Sequence, residues 1–136
     1  VIAESSAIMC ILLGEEESGQ YEEVNIDSPT PVLLPAGSYL EIAIVLERFG
    51  GSLASAKLDP WLNSMRIEVV PVTVNQAKLG RQIYREYGRG SRHPAKLNFG
   101  DCFSLALSLE TGEPLLYKGD EFAKAGIANA INLLTG

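Results

Sequence analysis

NFGDCFSLAL, residues 98–107, and PLLYKGDEF, residues 114–122, carry the reading of this chain. The first continues as a long apolar run closed by Thr111-Gly112, the pattern of a buried helix with its stop signal. In the second, PLLY has the length and apolarity of a buried strand, and GDEFAKA opens a short helix. Working outward, VIA at the start is a short strand, and Ser5 or Ser6 can cap a helix that runs to Gly14. EEESGQYEEVN reads as a short exposed helix, and NIDSPTP, with Ile26 central, as a brief second strand ending in a proline-rich turn. PAGSYLEIAIVLERFGG is a long helix stopped by Gly50-Gly51, and LASAKLDPWLNSM is another helix. IEVVPVT is a strand of β-branched residues, VNQAKLGRQIYREYG an amphipathic helix and RGSRHPAK a basic loop. The tail IANAINLL is ambiguous and compatible with a last strand. Short apolar strands alternating with helices predict an α/β fold with a central parallel sheet, in a single domain over residues 1–136.

Three acidic residues are stranded in apolar surroundings. Glu4 is the only charge in VIAESSAIMCILLG, Glu41 the only one in SYLEIAIVL and Asp101 the only one in LNFGDCFSLALSL. A carboxylate among core-forming residues is expensive to desolvate unless something pairs it, and no Lys or Arg lies in any of these runs. Gathered by folding, such carboxylates would bind a hard divalent cation, Mg²⁺ or Mn²⁺. Asp120, in the turn after PLLY, is a fourth candidate. In parallel sheets ligands bind beyond the carboxyl ends of the strands, and Glu4 and Asp120 both fall there. An acidic metal pocket of this kind acts on phosphate esters. Each acid also has a local alternative. Ser38 and Glu41 have the spacing of a capping box, as do Asn98 and Asp101. Asp120 can cap the last helix, and Glu4 can pair with a remote Arg.

The bulk numbers narrow the class. A chain of 136 residues supports one real core. No apolar run reaches the ~18 residues of a membrane-spanning helix. VIAESSAIMCILL resembles a signal peptide only superficially, since it lacks a basic start and Glu4 interrupts it; a cytoplasmic protein is expected. Cys10 and Cys102 are expected as buried, reduced thiols, and a single histidine, His93, argues against zinc. GxSxG, GxGxxG and P-loop patterns are missing. The net charge of −6 argues against a nucleic-acid partner, but its distribution argues for one. Lys78, Arg81, Arg85, Arg89, Arg92 and Lys96 supply six of the eleven basic residues, with Glu86 the only acid among them. Such a strip could hold a polyanion while the acidic pocket cuts it; the plainer reading is a solvated helix face and loop.

ESSAIMCILLGE, SYLEIAIVLERFGG, YREYGRGSRHPAKLNFGDCFSLAL and EPLLYKGDEFAKAGI, taken in order, resemble a PIN domain of the VapC type, the toxin ribonuclease of prokaryotic toxin–antitoxin pairs. The resemblance implies a three-layer α/β/α sandwich with a mainly parallel sheet and a metal-dependent endoribonuclease. It places the family's four acids on Glu4, Glu41, Asp101 and Asp120, as ligands of one or two Mg²⁺ or Mn²⁺ ions, and the small site-ordering hydroxyl on Ser6. The family usually has Asp where this chain has Glu4, which keeps the charge and adds a methylene. It further implies in-line attack by an activated water leaving 5′-phosphate and 3′-hydroxyl ends, a homodimer, and inhibition by a VapB-like antitoxin whose C-terminal segment reaches the acids. Arg85, Arg89, Arg92 and Lys96 are the expected RNA backbone contacts. Two other readings compete: a catalytically weakened PIN domain that binds RNA or protein, and a metal-dependent phosphatase on a related sandwich.

Overall fold

Strands and helices alternate in the computed structural model, which describes residues 1–134. In chain order the elements are β1 (Ile2–Ala3), α1 (Ser5–Leu12), α2 (Ser18–Asp27), β2 (Val32–Pro35), α3 (Ala36–Ala56), α4 (Leu58–Ser64), β3 (Ile67–Val70), α5 (Val74–Tyr87), α6 (Phe99–Thr111), β4 (Leu115–Leu116), α7 (Glu121–Lys124) and α8 (Ala130–Leu134). The strands form one sheet in the order β3-β2-β1-β4, every pair parallel. Ile2 lies opposite Leu33 on one side and Leu115 on the other, and Val32 opposite Ile67.

Alternation along the strands splits the apolar side chains between two cores, because successive side chains point to opposite faces. Ala3, Val32, Leu34, Ile67 and Leu116 pack against Ile8, Ile11, Tyr21, Ile42, Leu58 and Leu62 from α1 to α4. Ile2, Leu115 and Tyr117 pack against Ile83 of α5, Leu105 and Ala106 of α6, and Phe122 of α7. Helices on both faces of a buried parallel sheet make the three-layer sandwich expected from the sequence.

The sequence misleads at several places. Ile26 belongs to no strand: it lies in α2, which buries Tyr21 and Val24 one turn apart and leaves Ile26 67% exposed. The second strand is VLLP, preceded by Pro31 and ending in Pro35, so that its prolines stand at the two ends and not in its middle. Glu4, rather than Ser5 or Ser6, is the N-cap of α1; it keeps extended dihedrals and its side chain accepts the Ser6 N–H. Ser38 and Glu41 make no capping box, because the N-cap of α3 is Pro35, three residues before Ser38. The break expected at Gly50-Gly51 is present as a kink, with Gly51 at φ 73°, and helix resumes to Ala56. The tail folds as α8 instead of a strand. Its one strand-like feature is a single parallel bridge between Asn129 and Leu115, after which the Asn129 side chain accepts the Ile131 N–H at the helix start. The helix ends at Gly14 (φ 61°) and Gly112 (φ 74°) are as expected, each a left-handed position that glycine adopts without steric cost.

Leu34 is fully buried in β2, between its two sheet neighbours. Leu34→Ala should cost ~2–5 kcal/mol of stability by loss of transfer energy and creation of a cavity, read as a lowered denaturation midpoint in urea.

Candidate active site

Parallel pairing brings the carboxyl ends of the strands to one edge. The chain builds the sheet from β1 out to β3 and then returns to add β4 on the other side of β1, so the switch point lies between β1 and β4. Crevices at such points are where parallel sheets bind ligands.

Glu4 is placed there by β1, only 3% exposed. One carboxylate oxygen accepts the Ser6 N–H at 2.7 Å and the other is 2.8 Å from the Ser5 hydroxyl. The same hydroxyl lies 2.7 Å from Oε1 of Glu41, which α3 brings in. A serine hydroxyl carries one proton, so it cannot satisfy two ionised carboxylates at once; the second contact needs a proton on one of the acids. Burial pushes the Glu4 carboxyl above the usual range, against the lowering effect of its Ser6 and Ser5 hydrogen bonds. Ser6 ties the edge together in another way: its hydroxyl accepts the Lys118 N–H at 2.9 Å, joining the start of α1 to the chain leaving β4.

Asp101 arrives on the first turn of α6. Its carboxylate accepts the Asn98 N–H at 2.8 Å while Asn98 accepts the Asp101 N–H at 2.9 Å, a reciprocal capping box. Burial is the main reason that its pKa rises to about 7; the Asn98 hydrogen bond opposes the rise, and the charges of Glu4, Glu41 and Glu121 add to it. Asp101 thus closes the capping box of α6 and faces the other acids at the same time.

Asp120 stands at the rim. Its side chain is 73% exposed and lies 3.3 Å from the Lys124 ammonium. It occupies the N-cap position of α7 but makes no side-chain cap bond. Glu121, which the sequence reading passed over, also lines the cavity, and its charge reaches Asp101. KGDEF offers two adjacent acids, and nothing in their order says which one faces inward. Lys118 was missed as well. Its ammonium is bound by Glu15 and lies 3.4 Å from Glu17, which draws the acidic run 15–17 to the cavity mouth.

These groups, Glu17 apart, line a cavity of about 720 Å³ that also takes in Arg89 and Lys96. Arg85 and Arg92 are exposed and lie outside its lining, on α5 and in the loop after it. That loop is pinned at its base by Arg89 N–H to Leu97 C=O at 3.0 Å and Leu97 N–H to Tyr87 C=O at 2.8 Å. His93 holds its middle: Nδ1 accepts the Ala95 N–H at 3.1 Å and the ring packs edge-on against Tyr87. His93 is thus a structural loop residue that helps present Lys96.

Among the described residues, no three His, Cys, Asp or Glu side chains converge tightly enough to hold an ion as they stand. The chemistry of the set still fits a hard cation. It is made of oxygen donors, and the ion pairs of the nearby Lys118 and Lys124 go to Glu15, Glu17 and Asp120, leaving Glu4, Glu41 and Asp101 with no Lys or Arg partner among the described residues. Burial first, and the neighbouring acids second, hold the Asp101 pKa above the usual carboxylate range.

A three-layer sandwich with a cluster of acids at the β1/β4 switch point has known counterparts. The PIN domain family matches residues 1–128, and the chain belongs to that family. Among its relatives are VapC ribonuclease Mb0625 of Mycobacterium bovis and Ribonuclease VapC28 of Mycobacterium tuberculosis, each 41% identical over 132 residues, covering 97% of this chain and 98% of the relative. Two solved structures share the fold. One is Mycobacterium tuberculosis VapC20, titled a sarcin-ricin loop cleaving toxin (TM-score 0.72, 18% identity, 93% of this chain and 95% of that one). The other is a toxin–antitoxin complex from Klebsiella pneumoniae (TM-score 0.66, 11% identity, 88% and 87%).

With Asp101 at about 7 when folded and about 4 when unfolded, the native state keeps a proton that the unfolded chain has released between those values. More protons on the native state means that stability falls as pH rises through this window and levels off above it. In EDTA, Asp101→Asn should match the wild type in melting temperature near pH 4 and exceed it increasingly up to pH 7, since Asn keeps an oxygen for the Asn98 N–H. Parallel melting curves across that range would disprove the assignment.

Proposed function

We propose that the protein is a metal-dependent endoribonuclease and the toxin of a VapBC-type toxin–antitoxin pair, acting as one PIN unit over residues 1–136. The observation that carries this reading is the clustering of Glu4, Glu41 and Asp101, linked through Ser5 and mutual repulsion, beside Arg89 and Lys96. Glu4, Glu41 and Asp101 would hold one or two Mg²⁺ or Mn²⁺ ions, with Asp120 and Glu121 at the rim contributing directly or through water. The bound cation would supply Lewis acidity, neutralising the scissile phosphate and acidifying the attacking water. Ser5 and Ser6 orient the acids through the bonds described, and the capping box fixes Asp101 on a rigid helix end. Arg89 and Lys96 would grip the phosphate nearest the cut, and Arg85 and Arg92 the backbone further along. The names of the relatives support RNA as the polyanion.

The partners follow from the surface left over. Leu40, Ile44, Phe49 and Leu53 of α3 are exposed, which supports a homodimer or antitoxin contact. A cavity of about 460 Å³ lined by Leu12, Leu46, Leu53, Leu58 and Trp61 suits the apolar face of a VapB-like antitoxin segment. No helix among the described residues is long and apolar enough to cross a membrane, and we place the pair in the cytoplasm, where its RNA substrates are.

The test is cleavage of a labelled tRNA and rRNA pool with Mg²⁺, Mn²⁺ or EDTA. Discrete cuts that need metal and fall by at least ~100-fold in Asp101→Asn are expected. Undiminished cutting by the variant would remove Asp101 from the site.

A further inference from the structure

Gly100 is buried in the first turn of α6, against the Glu41 carboxylate. A Cβ added to it would overlap Oε2 of Glu41, standing 2.8 Å from Cδ and 2.9 Å from Oε1. The backbone does not ask for glycine here: Gly100 is not among the residues with positive φ, and alanine is the better helix former. What excludes a side chain is the carboxylate above it. Glu41 is thus seated from two sides, by the Ser5 hydroxyl at 2.7 Å and by the bare Cα of Gly100.

The same line of contact continues one turn away. A Cβ on Gly37 would come 2.8 Å from the Phe103 ring. Gly37 and Glu41 share one face of α3, and Gly100 and Phe103 share one face of α6, by their four- and three-residue spacing. The two helices therefore meet through a glycine-for-side-chain exchange at each level. This close approach is what brings an acid of α3 beside Asp101 of α6.

We infer that Gly100 is a positioning residue for the Glu41 carboxylate, whose missing Cβ seats that acid in the metal-holding cluster; this rests on the functional reading above. The clashing atoms belong to the end of a flexible side chain, so Gly100→Ala is relieved by moving the carboxylate and leaves the helices in place.

The experiment compares wild type, Gly100→Ala, Glu41→Ala and the double variant by Mn²⁺ binding (electron paramagnetic resonance of the free ion), melting temperature in EDTA, and cleavage of the labelled tRNA and rRNA pool. Gly100→Ala should melt no lower than wild type, bind Mn²⁺ ~10-fold more weakly and cut ~100-fold more slowly. In the Glu41→Ala background the glycine substitution should leave Mn²⁺ binding unchanged, because the group it displaces is gone. Wild-type binding and cutting by Gly100→Ala would overturn the inference alone. So would a fall in melting temperature that persists without Glu41, which would make Gly100 a packing residue. A wild-type protein that neither binds Mn²⁺ nor cuts would overturn the functional reading, and the inference with it.

Discussion

Acids gathered in one crevice without basic partners among the described residues are the constraint around which the structure is organised. Glu4, Glu41 and Asp101 come from a strand end and two helices, and each is held by neutral donors: a serine hydroxyl, the Ser6 N–H and the Asn98 N–H. Neutral donors orient carboxylates without cancelling their charge. The cost that remains, burial first and repulsion among the acids second, is visible in the raised pKa values of Glu4 and Asp101. A protein that only needed stability would have paired these groups or replaced them with apolar ones.

Local structure and site chemistry share the same atoms. Glu4 caps α1 and ends β1 in one step, while Asp101 closes the capping box of α6. Caps are usually worth about 1 kcal/mol and hold a side chain in one rotamer. Here that rigidity fixes the direction of an acid whose neighbours repel it. Lys118 plays a complementary part: its N–H anchors Ser6 while its ammonium holds Glu15 and Glu17 at the mouth. Basic groups are thus kept at the margin of the cavity, with Arg89 and Lys96 on a loop that His93 stiffens.

Much of this could be read from the chain. The helix ends at Gly14 and Gly112 and the break at Gly51 were visible because only glycine takes a positive φ freely. The stranded acids were visible because charge is rare among core residues. VLLP was hidden by its prolines, and Ile26 was mistaken for a strand centre because one apolar residue between turn formers has no period to measure. The contact of Ser5 with two acids, and the place of Glu121, escaped notice because each stands beside a residue with an equal claim, Ser6 and Asp120. Neighbours in sequence differ in direction by about 100° on a helix, and only packing says which one points inward.

The sequence by itself determined the alternation of strands and helices, the apolar setting of Glu4, Glu41 and Asp101, and the basic stretch from Lys78 to Lys96. These depend on composition and local periodicity, which every short segment carries with it. The tertiary structure alone decided the strand order, the sharing of one serine hydroxyl by two acids, the seat of Glu41 over Gly100, and the entry of Arg89 and Lys96 into the cavity in place of Arg85 and Arg92. Those are contacts between residues tens of positions apart, and their geometry exists only once the two cores have closed on the sheet.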